Sequence, residues 1–140
     1  MEVVCPHCKT VNRVPDERLS DAPVCGACKE PILPKHPIEL TVENFDALIE
    51  RSELPVVVDF WAPWCGPCRA MAPMFAEASM QLNGRAILAK LDTDAQSALA
   101  ARFGIRSIPT VAIFKNRKEL TRESGTRPAV EIVRWVERFL

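Results

Sequence analysis

The chain has almost no histidine: two residues in 140, His7 and His36, both in the first third. Beyond residue 36 it also has no cysteine except Cys65 and Cys68. The C-terminal part alone therefore cannot supply four sulfur or imidazole ligands to a metal. Charge of neither sign predominates, with 18 basic residues against 18 acidic. No global field would draw the chain to nucleic acid or to an anionic membrane surface. No apolar run approaches the roughly 18 residues of a membrane-spanning helix. Met1-Glu2-Val3-Val4-Cys5 lacks the basic and apolar regions of an export signal. Six cysteines in a chain without such a signal point to a reducing compartment, the cytoplasm, where thiols act as metal ligands or catalysts. A length of 140 residues suits one ordinary domain, or a compact domain with a small appendage.

What is present divides at a proline-rich joint, Pro31, Pro34 and Pro37, where neither a helical nor an alternating apolar pattern survives. Prolines this dense read as a semi-rigid connector over 31–37. Upstream, Cys5 and Cys8 form one C-x2-C pair and Cys25 and Cys28 another, with sixteen residues between the pairs. That spacing predicts a zinc ribbon over 1–30, with four thiolates closing a tetrahedral shell around one structural ion. Two disulfides or four free thiols are the competing readings. A segment this short cannot bury a sufficient core alone, so some crosslink is required. His7 lies within the first pair but reads as a solvated turn residue, because four sulfurs already complete the shell. Gly26 is expected to relieve a tight turn in the second pair. Metal loss is expected to unfold the ribbon and leave 38–140 folded. Residues 1–36 carry five basic and five acidic side chains, so a nucleic-acid role has no electrostatic support.

Downstream, the order of patterns is that of an α/β domain. Ile38 to Leu40 reads as a short strand, and Thr41 as the N-cap of a helix burying Phe45, Leu48 and Ile49. Pro55 to Phe60 is a continuous apolar strand, as expected in a sheet covered on both faces. A helix follows from about Pro67 to Asn83, then a strand over 86–91, a helix over 97–103, strands over 110–115 and 119–124, and a last helix from Pro128. The strand-to-helix junction reads Trp61-Ala62-Pro63-Trp64-Cys65-Gly66-Pro67-Cys68. A thiol at a helix N-terminus meets unpaired N–H groups and the positive end of the backbone dipole, so its thiolate is favoured. A second thiol one turn along can close a disulfide with it. Half of a zinc site is the alternative reading of this pair, and nothing downstream completes it.

The WCGPC junction and the element order resemble the thioredoxin family over about residues 38–140. With the four-cysteine segment ahead of it, the chain resembles the bacterial thioredoxin 2 type. The resemblance implies a thioredoxin fold, a mixed central sheet with helices on both faces, preceded by a small zinc ribbon. It implies a protein-disulfide reductase without organic cofactor, acting on disulfide-containing proteins and recycled by a flavoprotein thioredoxin reductase. Cys65, at the exposed end of the motif, is then the nucleophile and Cys68 the resolving thiol. Pro67 suits the first helical position, Gly66 the turn between the sulfurs, and Pro73 a kink further along. Asp59 would lie beneath the cysteines and take the proton of Cys68, facing Lys90 of the next strand. Solvated strand residues are the alternatives for both. Ile108-Pro109-Thr110 matches the family's cis-proline loop, whose residue 108 backbone would pair with an extended substrate; an ordinary trans-proline turn is the alternative. Trp64, Pro63, Gly66 and Gly125 would form an apolar rim for partner proteins, with Trp61 packed on the sheet. Ser107 and Arg117 depart from glycines common in the family, one beside the substrate loop and one in a hairpin. A different class of function, a zinc-ribbon binding module or redox-responsive chaperone that uses the thioredoxin domain for docking, stands as the alternative.

Overall fold

A computed structural model describes residues 1–140 throughout. Strands β1 (Glu2–Val4) and β2 (Val11–Arg13) pair antiparallel, with Cys5 and Cys8 in the turn between them. Lys9 and Lys29, the residues just past each cysteine pair, take the left-handed conformation at φ 67°. That role was expected of Gly26, which is not among the positive-φ residues. Its N–H instead donates to Asn12 Oδ1 at 2.9 Å.

The main sheet contains β3 (Ile38–Glu39), β4 (Val56–Trp61), β5 (Ile87–Asp92), β6 (Thr110–Lys115) and β7 (Lys118–Ser124). Their spatial order is β3-β5-β4-β6-β7. The first three run parallel and β6 and β7 run antiparallel to their neighbours. Helices α1 (Phe45–Arg51), α2 (Gly66–Gln81), α3 (Ser97–Arg102) and α4 (Ala129–Glu137) alternate with the strands. The succession β-α-β-α-β-α-β-β-α is the one read from periodicity. Because side chains alternate across a strand, Val56, Val58 and Phe60 of β4 face one layer and Val57 and Asp59 the other. The first layer holds Phe45, Leu48, Leu99 and Phe114, and the second holds Met71 and Phe75 of α2 with Ile132 and Trp135 of α4.

The start of α1 differs from expectation. Thr41 caps only a turn, its hydroxyl accepting the Glu43 N–H at 3.2 Å, and the α-helix begins at Phe45. The Asn44 side chain ties the turn that precedes the helix. Its Oδ1 accepts the Thr41 N–H at 2.8 Å, and its Nδ2 donates to the carbonyls of Glu39 and Pro6, both at 3.0 Å.

The Pro6 bond crosses between the ribbon and the α/β layers, and it has company. Val3, Val4, Cys5, Val14, Leu19 and Cys25 join Ile32 and Leu33 in the same apolar cluster as Ile38, Leu40, Phe45 and Leu54. Glu2 and Glu53 exchange two hydrogen bonds, from the Glu2 N–H to Glu53 Oε1 at 2.7 Å and from the Glu53 N–H to the Glu2 carbonyl at 3.1 Å. The 31–37 stretch has no helix or strand, yet Asn83 Nδ2 donates to the carbonyls of Leu33 and Pro34 at 3.1 and 3.2 Å. It is a pinned crossing, since the small apolar side chains of the ribbon find their only large burial surface on the sheet's α1 face.

Candidate active site and metal centre

Strand β4 ends at Trp61, and the chain turns through Pro63 and Trp64 into α2. Cys65 precedes the helix in an extended conformation, and its sulfur accepts the Cys68 N–H at 3.2 Å. The sulfur itself therefore occupies the N-cap position, where a thiolate gains most from the unpaired N–H groups of the first turn. Cys65 and Cys68 are joined as a disulfide. Ala62, Trp61 and Ile108 pack around them. Cys65 stands less open than expected, 4% exposed against 1% for Cys68, although it keeps the larger access of the two.

The loop between α3 and β6 lies across this sulfur pair. The Ile108–Pro109 bond is cis, and the Ile108 carbonyl oxygen lies 3.9 Å from Cys65 Sγ. Gly125, at the end of β7, donates its N–H to the Pro109 carbonyl at 2.9 Å, and Thr126 Oγ1 reaches the Pro67 carbonyl at 3.4 Å. Residues 65–68, 108–109 and 125, distant in sequence, thus meet at one end of the sheet. Trp64 is 68% exposed beside them. Its indole N–H donates to Asp94 Oδ2 at 2.8 Å, which orients the ring. Asp94 escaped the sequence reading; its only local signal is an acidic loop following a strand end, the usual place for site residues in such sheets.

Asp59 has no exposed surface, and neither carboxylate oxygen has a hydrogen-bond partner. Burial pushes its pKa up to about 7, and the charge of Lys90 acts in the opposite direction. Strand register puts the two in one cross-sheet row, Glu39 beside Lys90 and Lys90 beside Asp59. The ammonium does not reach the carboxyl. Lys90 Nζ lies 4.3 Å above the Trp61 ring instead, in a half-open pocket lined by Pro37, Ile38, Glu39, Trp61 and Lys90.

The second cluster lies in the ribbon. The sulfurs of Cys5, Cys8, Cys25 and Cys28 all lie within 4.8 Å of one another. Two of the sulfur pairs, Cys5 with Cys28 and Cys8 with Cys25, are 3.6 Å apart. A tetrahedral ion with metal–sulfur bonds of about 2.3 Å spaces its ligands by about 3.8 Å, so the four residues fit one such ion. The four thiols are not biased alike. Hydrogen bonds from Thr10 lower Cys8 and backbone N–H groups lower Cys25, whereas burial raises Cys5. At Cys28 the Glu30 N–H acts downward, but burial and the neighbouring sulfurs override it and push the thiol up to about 12. The N–H groups of His7 and Cys8 both point at Cys5 Sγ at 3.4 Å. The Cys28 and Ala27 N–H groups, working against burial, bring the Cys25 thiol down to about 6. His7 contributes only its backbone, and its side chain is exposed.

Two family models match the chain, one described as Thioredoxin over residues 36–138 and one described as Thioredoxin 2, N-terminal, over residues 4–30. Thioredoxin C-3 of Corynebacterium nephridii is 44% identical over 140 residues, all of this chain and 96% of that protein. A thioredoxin of Synechocystis sp. is 47% identical over 97 residues, covering 69% of this chain and 91% of its own. Thioredoxin 1 of Nostoc sp. is 39% identical over 102 residues, 73% of this chain and 95% of that one.

Proposed function

The chain belongs to the thioredoxin family and is a protein-disulfide oxidoreductase, and we propose that Cys65 is its attacking sulfur and Cys68 its resolving one. The observation that carries this assignment is the Cys68 N–H directed at Cys65 Sγ. It stabilises negative charge on Cys65 and leaves Cys68 the more enclosed thiol. In the reduced chain the Cys65 thiolate attacks one sulfur of a substrate disulfide. A bond forms between Cys65 and that sulfur, and the other substrate sulfur leaves as a thiolate. Cys68 then gives its proton to Asp59, attacks Cys65 Sγ and expels the second substrate thiolate. The substrate gains two electrons and the chain is left as the Cys65–Cys68 disulfide seen here. A carboxyl near pKa 7 suits that transfer, being partly ionised at neutral pH. The charge of Lys90 favours the ionised form.

Trp64, Gly66 and Pro67 with Ile108, Pro109 and Gly125 form the surface that receives substrate, the Ile108 backbone pairing with an extended segment. A thioredoxin reductase serves as electron donor, and cytoplasmic operation suits a chain whose six cysteines need a reducing surround. Residues 1–30 act as a zinc ribbon, 31–37 as its connection and 38–140 as the thioredoxin domain, in line with the extents of the two family matches. Cys5, Cys8, Cys25 and Cys28 would hold one structural zinc, which fixes the ribbon's turns and takes no part in electron transfer.

The test is a pair of serine variants. Cys68→Ser should attack and stall as a mixed disulfide with a protein substrate, visible by mass spectrometry, while Cys65→Ser should form none. Mixed disulfides on Cys65→Ser instead would reverse the assignment.

A further inference from the structure

Ser107, one of the two departures from family glycines, takes part in a closed ring of hydrogen bonds. Thr110, at the start of β6, is buried, and its hydroxyl donates to the Ser107 carbonyl at 2.6 Å. A hydroxyl has one hydrogen to give. At its 2.9 Å contact with Ser124 Oγ, Thr110 therefore accepts, and Ser124 donates. The Ser124 hydrogen is now used, so at the 3.0 Å contact between the serines Ser107 donates to Ser124. The direction is fixed all the way round: Ser107 hydroxyl to Ser124, Ser124 to Thr110, Thr110 to the Ser107 carbonyl. Each hydroxyl gives one hydrogen bond and accepts at most one, and the circuit begins and ends on residue 107.

The consequence falls on the next residue. The Ser107 carbonyl and the Ile108 N–H belong to one peptide unit, which is trans, because the single cis bond of the chain follows Ile108. In a trans peptide the two groups point in opposite directions. Holding the carbonyl inward on a buried hydroxyl turns the Ile108 N–H outward, and that N–H has no acceptor within the chain. The residue that carries this free N–H is also the one beside Cys65, whose sulfur lies 3.9 Å from the Ile108 carbonyl. The ring spans β7 and the loop, so it also ties the loop to the strand whose last residue precedes Gly125.

We propose that Ser107 and Ser124 are positioning residues that, through this hydroxyl ring, aim the Ile108 N–H at an extended segment of a protein-disulfide substrate. This rests on the reading that the Ile108 backbone receives substrate. The substrate class it selects is a disulfide flanked by extended polypeptide, whose backbone carbonyl accepts the aimed donor, over a small disulfide with no backbone to offer.

The experiment compares the full chain with its Ser107→Ala, Ser124→Ala and Ser124→Thr variants, using insulin as the protein disulfide and dithiobis(nitrobenzoate) as one without backbone amides. Each alanine variant should raise KM for insulin about three- to tenfold, the range of a single lost hydrogen bond, while kcat moves by less than about twofold. The preference for insulin, as a ratio of kcat/KM values, should fall by the same factor. Ser124→Thr keeps the hydroxyl and should restore the KM. An unchanged insulin KM in both alanine variants, with the wild-type preference for insulin intact, would remove the ring from recognition and leave the Ile108 reading standing. Equal kcat/KM of the wild-type chain on both substrates would overturn the Ile108 reading, and the proposal with it. A loss confined to kcat, or a threonine variant as impaired as alanine, would also overturn the proposal.

Discussion

Asp59 has a carboxyl with no solvent and no hydrogen-bond partner, and it holds its proton up to about pH 7 against 3.8 for an ordinary aspartate. An acid whose pKa is raised by folding binds more protons in the native than in the unfolded state, so stability falls as pH rises between those two values and is level above them. The full shift corresponds to about 4 kcal/mol as an order of magnitude. Asp59→Asn should therefore stabilise the chain by roughly 2–4 kcal/mol at pH 8 and by little near pH 4. Urea titrations at the two pH values check this. The same variant should release mixed disulfides more slowly and lose the rise in rate through pH 7 that ionisation of Asp59 provides; a stopped-flow profile identical to wild type would remove Asp59 from the resolving step. Tryptophan emission supplies that signal. Trp61 packs against the Cys65–Cys68 pair and Trp64 stands 68% exposed beside it. Reduction should raise the emission, and Trp61→Phe should abolish more of the change than Trp64→Phe. Equal loss in both would mean that contact with the sulfurs does not govern the quenching.

At the scale of elements, the β6–β7 hairpin shows a local rule broken. Its two turn residues, Asn116 and Arg117, lie at φ 53° and 67°, as a tight hairpin turn of matched twist requires. Asparagine tolerates that region, whereas arginine meets its own Cβ against the carbonyl, at about 1 kcal/mol. Arg117→Gly should raise stability by up to about 1 kcal/mol, less what glycine adds to unfolded-chain entropy, with no change in disulfide reduction. Thermal unfolding beside an insulin assay measures both. Nothing in the structure gives Arg117 an ion pair to compensate. Helix α2 follows its local rules: a capping sulfur, proline in the first turn, and an apolar face of Met71, Phe75 and Ala78 on the sheet. Its one irregular residue, Pro73, sits within the helix but on the exposed side.

At the scale of the whole molecule, the ribbon shares one apolar cluster with the α1 face of the sheet. That replaces the expectation of two energetically separate units. Removing the metal should release the turns that hold Val3, Val4 and Cys5 in place and strip cover from Ile38, Leu40 and Phe45. The melting temperature of residues 38–140 should then fall by roughly 5–10 °C, with Trp135 of α4 reporting the transition remotely. Calorimetry of zinc-loaded and chelator-treated chain decides it; an unchanged main transition would mean that the contact carries no coupling. The sequence by itself determined what depends on neighbours a few residues apart. The dithiol junction, the two cysteine knuckles, the order of strands and helices and the parallel core strand follow from local spacing and side-chain period. Three things were left to tertiary structure. Asn44 was tied to a carbonyl of Pro6, 38 residues upstream. Lys90 was drawn over Trp61, away from the carboxyl it faces in register. Ser107, Thr110 and Ser124 closed a ring across two strands. The common reason is that a polar or charged side chain settles on whichever group the fold brings within reach, by a hydrogen bond or over a ring face, and no sequence period encodes that meeting.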